Sequence, residues 1–111
     1  APKSSMTVIQ GKKEAVIRRI EELAAEYPKE KVGILATDET LSCYTHGQVV
    51  SAGSRNEHTI EQGLYRALRE FDHMGGSVIF SESFADDDRS EAIMNRLLKA
   101  AGQKIEYLSD K

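Results

Sequence analysis

Tryptophan is absent from these 111 residues, only two prolines occur, and there is a single cysteine. With Cys43 alone no internal disulfide can form, which suits a reducing compartment. No apolar run approaches the ~20 residues that a membrane-spanning helix needs. The residues before the first strand carry no signal-peptide pattern. A cytoplasmic location with no membrane partner is the expectation. Aromatics are 6%, and the net charge of −3 comes from basic residues scattered among acidic ones. Neither a basic stripe nor a stacking platform is present, so nucleic acid is not an expected direct partner. What the chain does have is the 40% apolar and 30% charged content of a folded globular domain. Its length suits one core. The first residue is Ala1, as expected of a piece cut from a longer protein or of a chain whose methionine was removed.

Hydrophobic spacing divides the chain into alternating strands and helices. Residues 6–10, "MTVIQ", read as a strand. Residues 12–27 place Val16, Ile20, Leu23, Ala24 and Tyr27 at helical spacing, and Pro28 stops that helix. Strands follow at 31–37 and 48–52, separated by a polar stretch with room for one helical turn. A long helix over 57–74 carries Ile60, Leu64, Ala67, Leu68 and Phe71 on one face and ends at Gly75-Gly76. A strand at 77–82, a helix at 89–101 and a strand at 104–108 complete the pattern. Strands alternating with covering helices imply an α/β fold, a three-layer α/β/α Rossmann-like sandwich with a mostly parallel five-stranded sheet. By analogy with doubly wound sheets the expected strand order is 3-2-1-4-5.

The loop after the first strand, Gln10-Gly11-Lys12-Lys13, has one glycine. It offers neither a dinucleotide fingerprint nor a P-loop. A phospho-receiver site is also missing: Gln10 and Lys12 stand where acids are needed, and Ala52-Gly53 where an aspartate would end the third strand.

Cys43 and His46 are three residues apart, but nothing nearby completes a metal set, so an incidental loop thiol is the simpler reading. His58 and His73 read as helix-end residues, His73 suiting the negative end of its helix. Asp86-Asp87-Asp88 could bind a hard cation, yet acids ahead of a helix more often serve its N-terminus. No metal is assigned. The segment "GSRNEHT", 53–59, joins a strand end to a helix start, where free N–H groups can receive an anion. Gly53, Ser54, Arg55 and Asn56 form this candidate anion site. The competing reading is capping, with Ser54–Glu57 or Thr59–Gln62 at capping-box spacing.

On the last helix Ile93, Met94, Leu97, Leu98, Ala100 and Ala101 fill an apolar arc of roughly 160°. Asn95 and Arg96 lie just outside its two borders. Tyr65, Arg69 and Asp72 form a second stripe beside the core face of the long helix, with Arg69 and Asp72 spaced to pair. Both sets can tie loops and helix ends of the domain itself, with Arg96 reaching a carboxylate or backbone carbonyls. Otherwise they form a docking surface.

These two helices carry a resemblance. "LYRALREFD" at 64–72 and "AIMNRLLKAA" at 92–101 resemble the C-terminal domain of the two-domain threonylcarbamoyl-AMP synthases. The matching pieces are Leu64-Tyr65, Leu68-Arg69 and Asp72, then Asn95-Arg96-Leu97 and Ala100-Ala101. "KVGILAT" and Gly53 resemble that family's second strand and the turn after its third. One departure is the acidic and polar segment from Asp86 to Ser90, where the family often has glycine.

The resemblance implies that residues 1–5 are the tail of an interdomain linker and residues 6–111 a single accessory domain. It implies a parent enzyme that joins L-threonine, bicarbonate and ATP, with magnesium, into threonylcarbamoyl-AMP for tRNA modification. The partner it implies is the N-terminal catalytic domain of the same chain. No residue matches a family catalytic position, so no catalytic residue and no cofactor are assigned to this domain. The rival expectations are a small-molecule or anion sensor using the rim at 53–56 and, more remotely, a stand-alone nucleotide-binding protein.

Overall fold

Two apolar rows on opposite sides of one sheet organise the molecule. In the first strand, β1 (Ser5–Gln10), Met6 and Val8 face one layer while Ile9 faces the other, as the twofold alternation of a strand requires. The computed structural model describes residues 5–74, 77–84 and 90–109. Helix α1 (Lys13–Ala24) packs Val16, Ile20 and Ala24 against Ile9, Ile34 and Phe80. It ends ahead of Pro28, and Glu26 and Tyr27 turn their N–H groups back to Leu23 and Ala24 in a tighter, 3₁₀-like turn. Strand β2 (Val32–Ala36) is buried along its whole length, as a parallel strand covered on both faces should be. Its Gly33 clears the ring of Phe71: a Cβ there would lie 2.6 Å from the ring.

The polar stretch holds a 3₁₀ turn at Leu41–Cys43 before β3 (Gln48–Ser51). Helix α2 (Ile60–Asp72), strand β4 (Val78–Glu82), helix α3 (Ser90–Ala100) and strand β5 (Ile105–Tyr107) follow. Leu64, Ala67 and Phe71 of α2 meet Ile93 and Leu97 of α3, and Ala101 just after it, over Met6, Val8, Leu35 and Ile79. The sandwich therefore has α1 on one face and α2 with α3 on the other. The expected stop at Gly75-Gly76 lies outside the described residues.

All strand pairs are parallel, and the order is β3-β2-β4-β1-β5 rather than the expected 3-2-1-4-5. The α1 crossover skips one strand position. Strand β4 later fills that gap, pairing Ile79 with Met6 on one side and with Gly33 on the other. It suits the centre because Ile79 and Phe80 are apolar toward opposite faces and both are buried.

Candidate functional site

Strands β1 and β4 are neighbours whose chains leave in opposite directions. After β1 the chain enters α1 on one face, and after β4 it enters α3 on the other. In an open parallel sheet this divergence opens a crevice beyond the carboxyl ends of the two strands, where ligands commonly bind. A cleft of about 390 Å³ lies there, lined by Gln10, Gly11, Lys13, Val16, Thr40, Arg55, Glu82 and Ser83.

Glu82 ends β4 at the base of this cleft and is only 4% exposed. The Tyr44 hydroxyl donates to its Oε2 at 2.5 Å. Burial pushes the Glu82 carboxyl above its ordinary value, while the hydroxyls of Tyr44 and Thr40 and the charges of Arg55 and Lys13 oppose the shift. Burial and the neighbouring carboxylate push Tyr44 upward too, so it remains a donor. Ser83 Oγ donates to Gln10 Oε1 at 3.0 Å, linking the two strand ends across the cleft. Gly11 is needed for packing: a Cβ there would lie 2.9 Å from Cβ of Leu108.

The turn at 53–58 does bind a carboxylate, and it comes from the same chain. Glu39 accepts hydrogen bonds from Ser54 Oγ at 2.5 Å, the Arg55 N–H at 3.0 Å and the Asn56 N–H at 3.4 Å. The Ser54 hydroxyl foremost, then these N–H groups, hold the Glu39 carboxyl down to about 2 against the opposing effect of burial. Ser54 Oγ also accepts from the Glu57 N–H at 3.1 Å, one half of a capping box. The Thr59 hydroxyl accepts from the Ser54 N–H at 2.7 Å instead of capping α2. Gly53 is obligatory here, at φ +132° with Thr59 O only 2.8 Å from where a Cβ would stand. Arg55 turns inward: Nη2 donates to Ser83 O at 2.8 Å, and the guanidinium lies 5.5 Å from the centre of the Phe84 ring.

Tyr65, Arg69, Asp72 and Arg96 come together along a groove of about 460 Å³ between α2 and α3, floored by Met6, Leu68 and Ile79. Tyr65 is 59% exposed. The Arg69 guanidinium stands 6.0 Å from the Tyr65 ring centre and forms no ion pair with Asp72 among the described residues. Asn95 is exposed and does not line the groove. The expected tie from Arg96 to a carboxylate or carbonyl is not made among the described residues. Its head stays in solvent, where an ion pair gains little over hydration.

His46 Nε2 lies 2.7 Å from the Tyr27 carbonyl and donates to it, which turns the imidazole to a structural task near the end of α1. Among the described residues no three metal-ligating side chains converge. Asp86-Asp87-Asp88 lie outside the described residues, and His58 has the positive φ of a turn rather than a helical one. Sequence reasoning missed Glu39, Tyr44 and Glu82. The one available signal was an acid closing the apolar run "VIFSE" at the end of a buried strand.

These features define a three-layer α/β domain in which a switch-point cleft and a charged interhelical groove are separate. The chain belongs to the family of threonylcarbamoyl-AMP synthase C-terminal domains, whose model matches residues 1–102. It is 40% identical to the threonylcarbamoyl-AMP synthase of Bacillus subtilis over 108 residues and 36% identical to that of Pyrococcus abyssi over 107. In each case the match covers 95% of this chain, which spans about 30% of the relative's length. A solved structure of Pyrococcus abyssi Sua5 with L-threonine bound superposes with a TM-score of 0.80 at 33% identity, covering 98% of this chain and 31% of that one. The C-terminal Sua5 domain of Pyrococcus horikoshii superposes with a TM-score of 0.72 at 30% identity, covering 97% of this chain and 100% of that one.

Proposed function

We propose that this domain is the accessory C-terminal part of a threonylcarbamoyl-AMP synthase, docking on the catalytic domain and anchoring the linker that covers its pocket. The observation that supports this is one of extent: the chain corresponds to only 30% of synthases that match it along nearly its whole length. In this reading L-threonine, bicarbonate and ATP with magnesium bind the N-terminal domain, and the product serves tRNA threonylcarbamoyladenosine modification. The domain here contacts neither nucleic acid nor membrane. No helix among the described residues is long and apolar enough to cross a membrane.

The α2/α3 groove is the docking face. Its rim residues Asp72 and Arg96 are exposed and lack partners among the described residues, while its floor is apolar. Charged rims around an apolar centre are the ordinary anatomy of a protein interface. The test is Arg96→Ala with Asp72→Ala in the full-length enzyme, read as pyrophosphate release and as association of separately expressed domains. Weaker association with an unchanged fold is expected. Unchanged association and full activity would overturn the docking reading.

A further inference from the structure

We propose that the switch-point cleft is a binding site for a small zwitterion of amino-acid size, with its ammonium on Glu82 and its carboxylate toward Lys13. The cleft, about 390 Å³, is within the range of small-molecule sites and lies where a parallel sheet places them. Its chemistry is two-signed. A carboxylate buried as deeply as Glu82 ordinarily has a cation beside it. Among the described residues none forms an ion pair with it. The Tyr44 and Thr40 hydroxyls hold the side chain in place, and the charges of Arg55 and Lys13 act on it without a direct ion pair, so no cation among the described residues is bonded to it. An ammonium is the donor that such an acceptor rewards most, through a charge-assisted hydrogen bond.

Lys13 also lines the cleft, is exposed, and makes no hydrogen bond or ion pair with a described residue. It can take a carboxylate. Gln10, whose amide oxygen accepts from Ser83, lines the cleft as well and keeps its NH₂ group as a donor.

Alternatives fit less well. Arg55 is already engaged with Ser83 O and stacked over Phe84, so it lends the wall charge without being the receptor. The β1–α1 loop has one glycine, spent on clearing Leu108, so no backbone cradle for a polyphosphate forms. A doubly charged phosphate would also sit against the Glu82 carboxylate.

The test is a titration of the ¹⁵N-labelled domain with L-serine, using acetate, ethylamine and inorganic phosphate as controls. Expected are saturable shifts of the Gln10, Gly11, Lys13 and Ser83 amides with L-serine, and far weaker ones with the controls. Glu82→Gln and Lys13→Ala should each weaken binding by about tenfold, the loss of one charge-assisted hydrogen bond. Lys13 is exposed, so Lys13→Ala keeps the fold and decides the matter should Glu82→Gln fail to fold. No saturation up to tens of millimolar, equal shifts with phosphate alone, or undiminished binding by Lys13→Ala would overturn the proposal. The groove residues that test docking are different ones, so either reading can fail alone.

Discussion

Glu39 and Glu82 are pushed in opposite directions by their surroundings, and the consequence for stability can be read residue by residue. Glu39 is held down to about 2 from an ordinary 4.5, so its charge favours the folded state. That contribution is complete above pH 4.5 and drains away as pH falls toward 2. Glu82 is raised, so protonation favours the fold, and its contribution grows as pH falls through the raised value and levels off below the ordinary one. Melting curves of wild type and Glu39→Gln should therefore differ at neutral pH and converge in strong acid. A constant difference from neutral pH down to pH 2 would contradict the assignment. Gly63 poses a different residue-scale question. Propensity alone says that alanine in α2 should stabilise by about 1 kcal/mol. A Cβ at Gly63 would fall 1.9 Å from the Ala52 carbonyl oxygen, so helix and strand end would have to separate. Gly63→Ala should instead destabilise by about 1–3 kcal/mol, the usual cost of overpacking, measured as a lower urea midpoint. Neither result is legible in the sequence, because Ser54, Ala52 and Glu39 meet their partners through the folded chain rather than by spacing.

Among the elements, α3 separates what periodicity can tell from what it cannot. Ile93, Leu97 and Ala101 are buried where helical spacing puts them, as are Val16, Ile20 and Ala24 on α1. Buried faces repeat at a local period, so they can be read before anything else. The partners of the border residues are not local, and Arg96 proves to have none among the described residues. Arg96→Ala should therefore leave the urea midpoint of this domain unchanged to within about 0.5 kcal/mol, as exposed substitutions do. A larger loss would show that Arg96 anchors the domain's own structure and would remove it from the docking face. The start of α2 makes the same point. Periodicity places it near residue 57, but it begins at Ile60 after His58 takes a φ of +59°. Glu39, 15 residues before Ser54, holds that turn in another conformation. Likewise Tyr44 and Glu82 are 38 residues apart, and no motif spacing could have paired them.

At the scale of the whole molecule, the strand order is the feature that local reading got wrong and that most shapes how the domain unfolds. Sequence-adjacent strands often pair, which favours β1 beside β2. Here α1 carries the chain across a vacant position, and β4 is the strand that joins β2–β3 to β1–β5. Without β4 the sheet would be two separate ribbons, each too small to stand alone. Both apolar layers also meet on this strand, through Ile79 on the α2/α3 side and Phe80 on the α1 side. A change in β4 should therefore be felt on both faces at once. Ile79→Val removes one methyl group from the α2/α3 side and should cost about 0.5–1.5 kcal/mol. The expected outcome is a single unfolding transition, displaced equally for both layers. The amides of Val16, Ile20 and Ala24 report the α1 side by NMR, and those of Leu64, Leu97 and Ala101 report the other in the same urea titration. Loss of the α2/α3 signals at lower urea, with the α1 signals left in place, would show that the layers unfold separately and that β4 does not couple them.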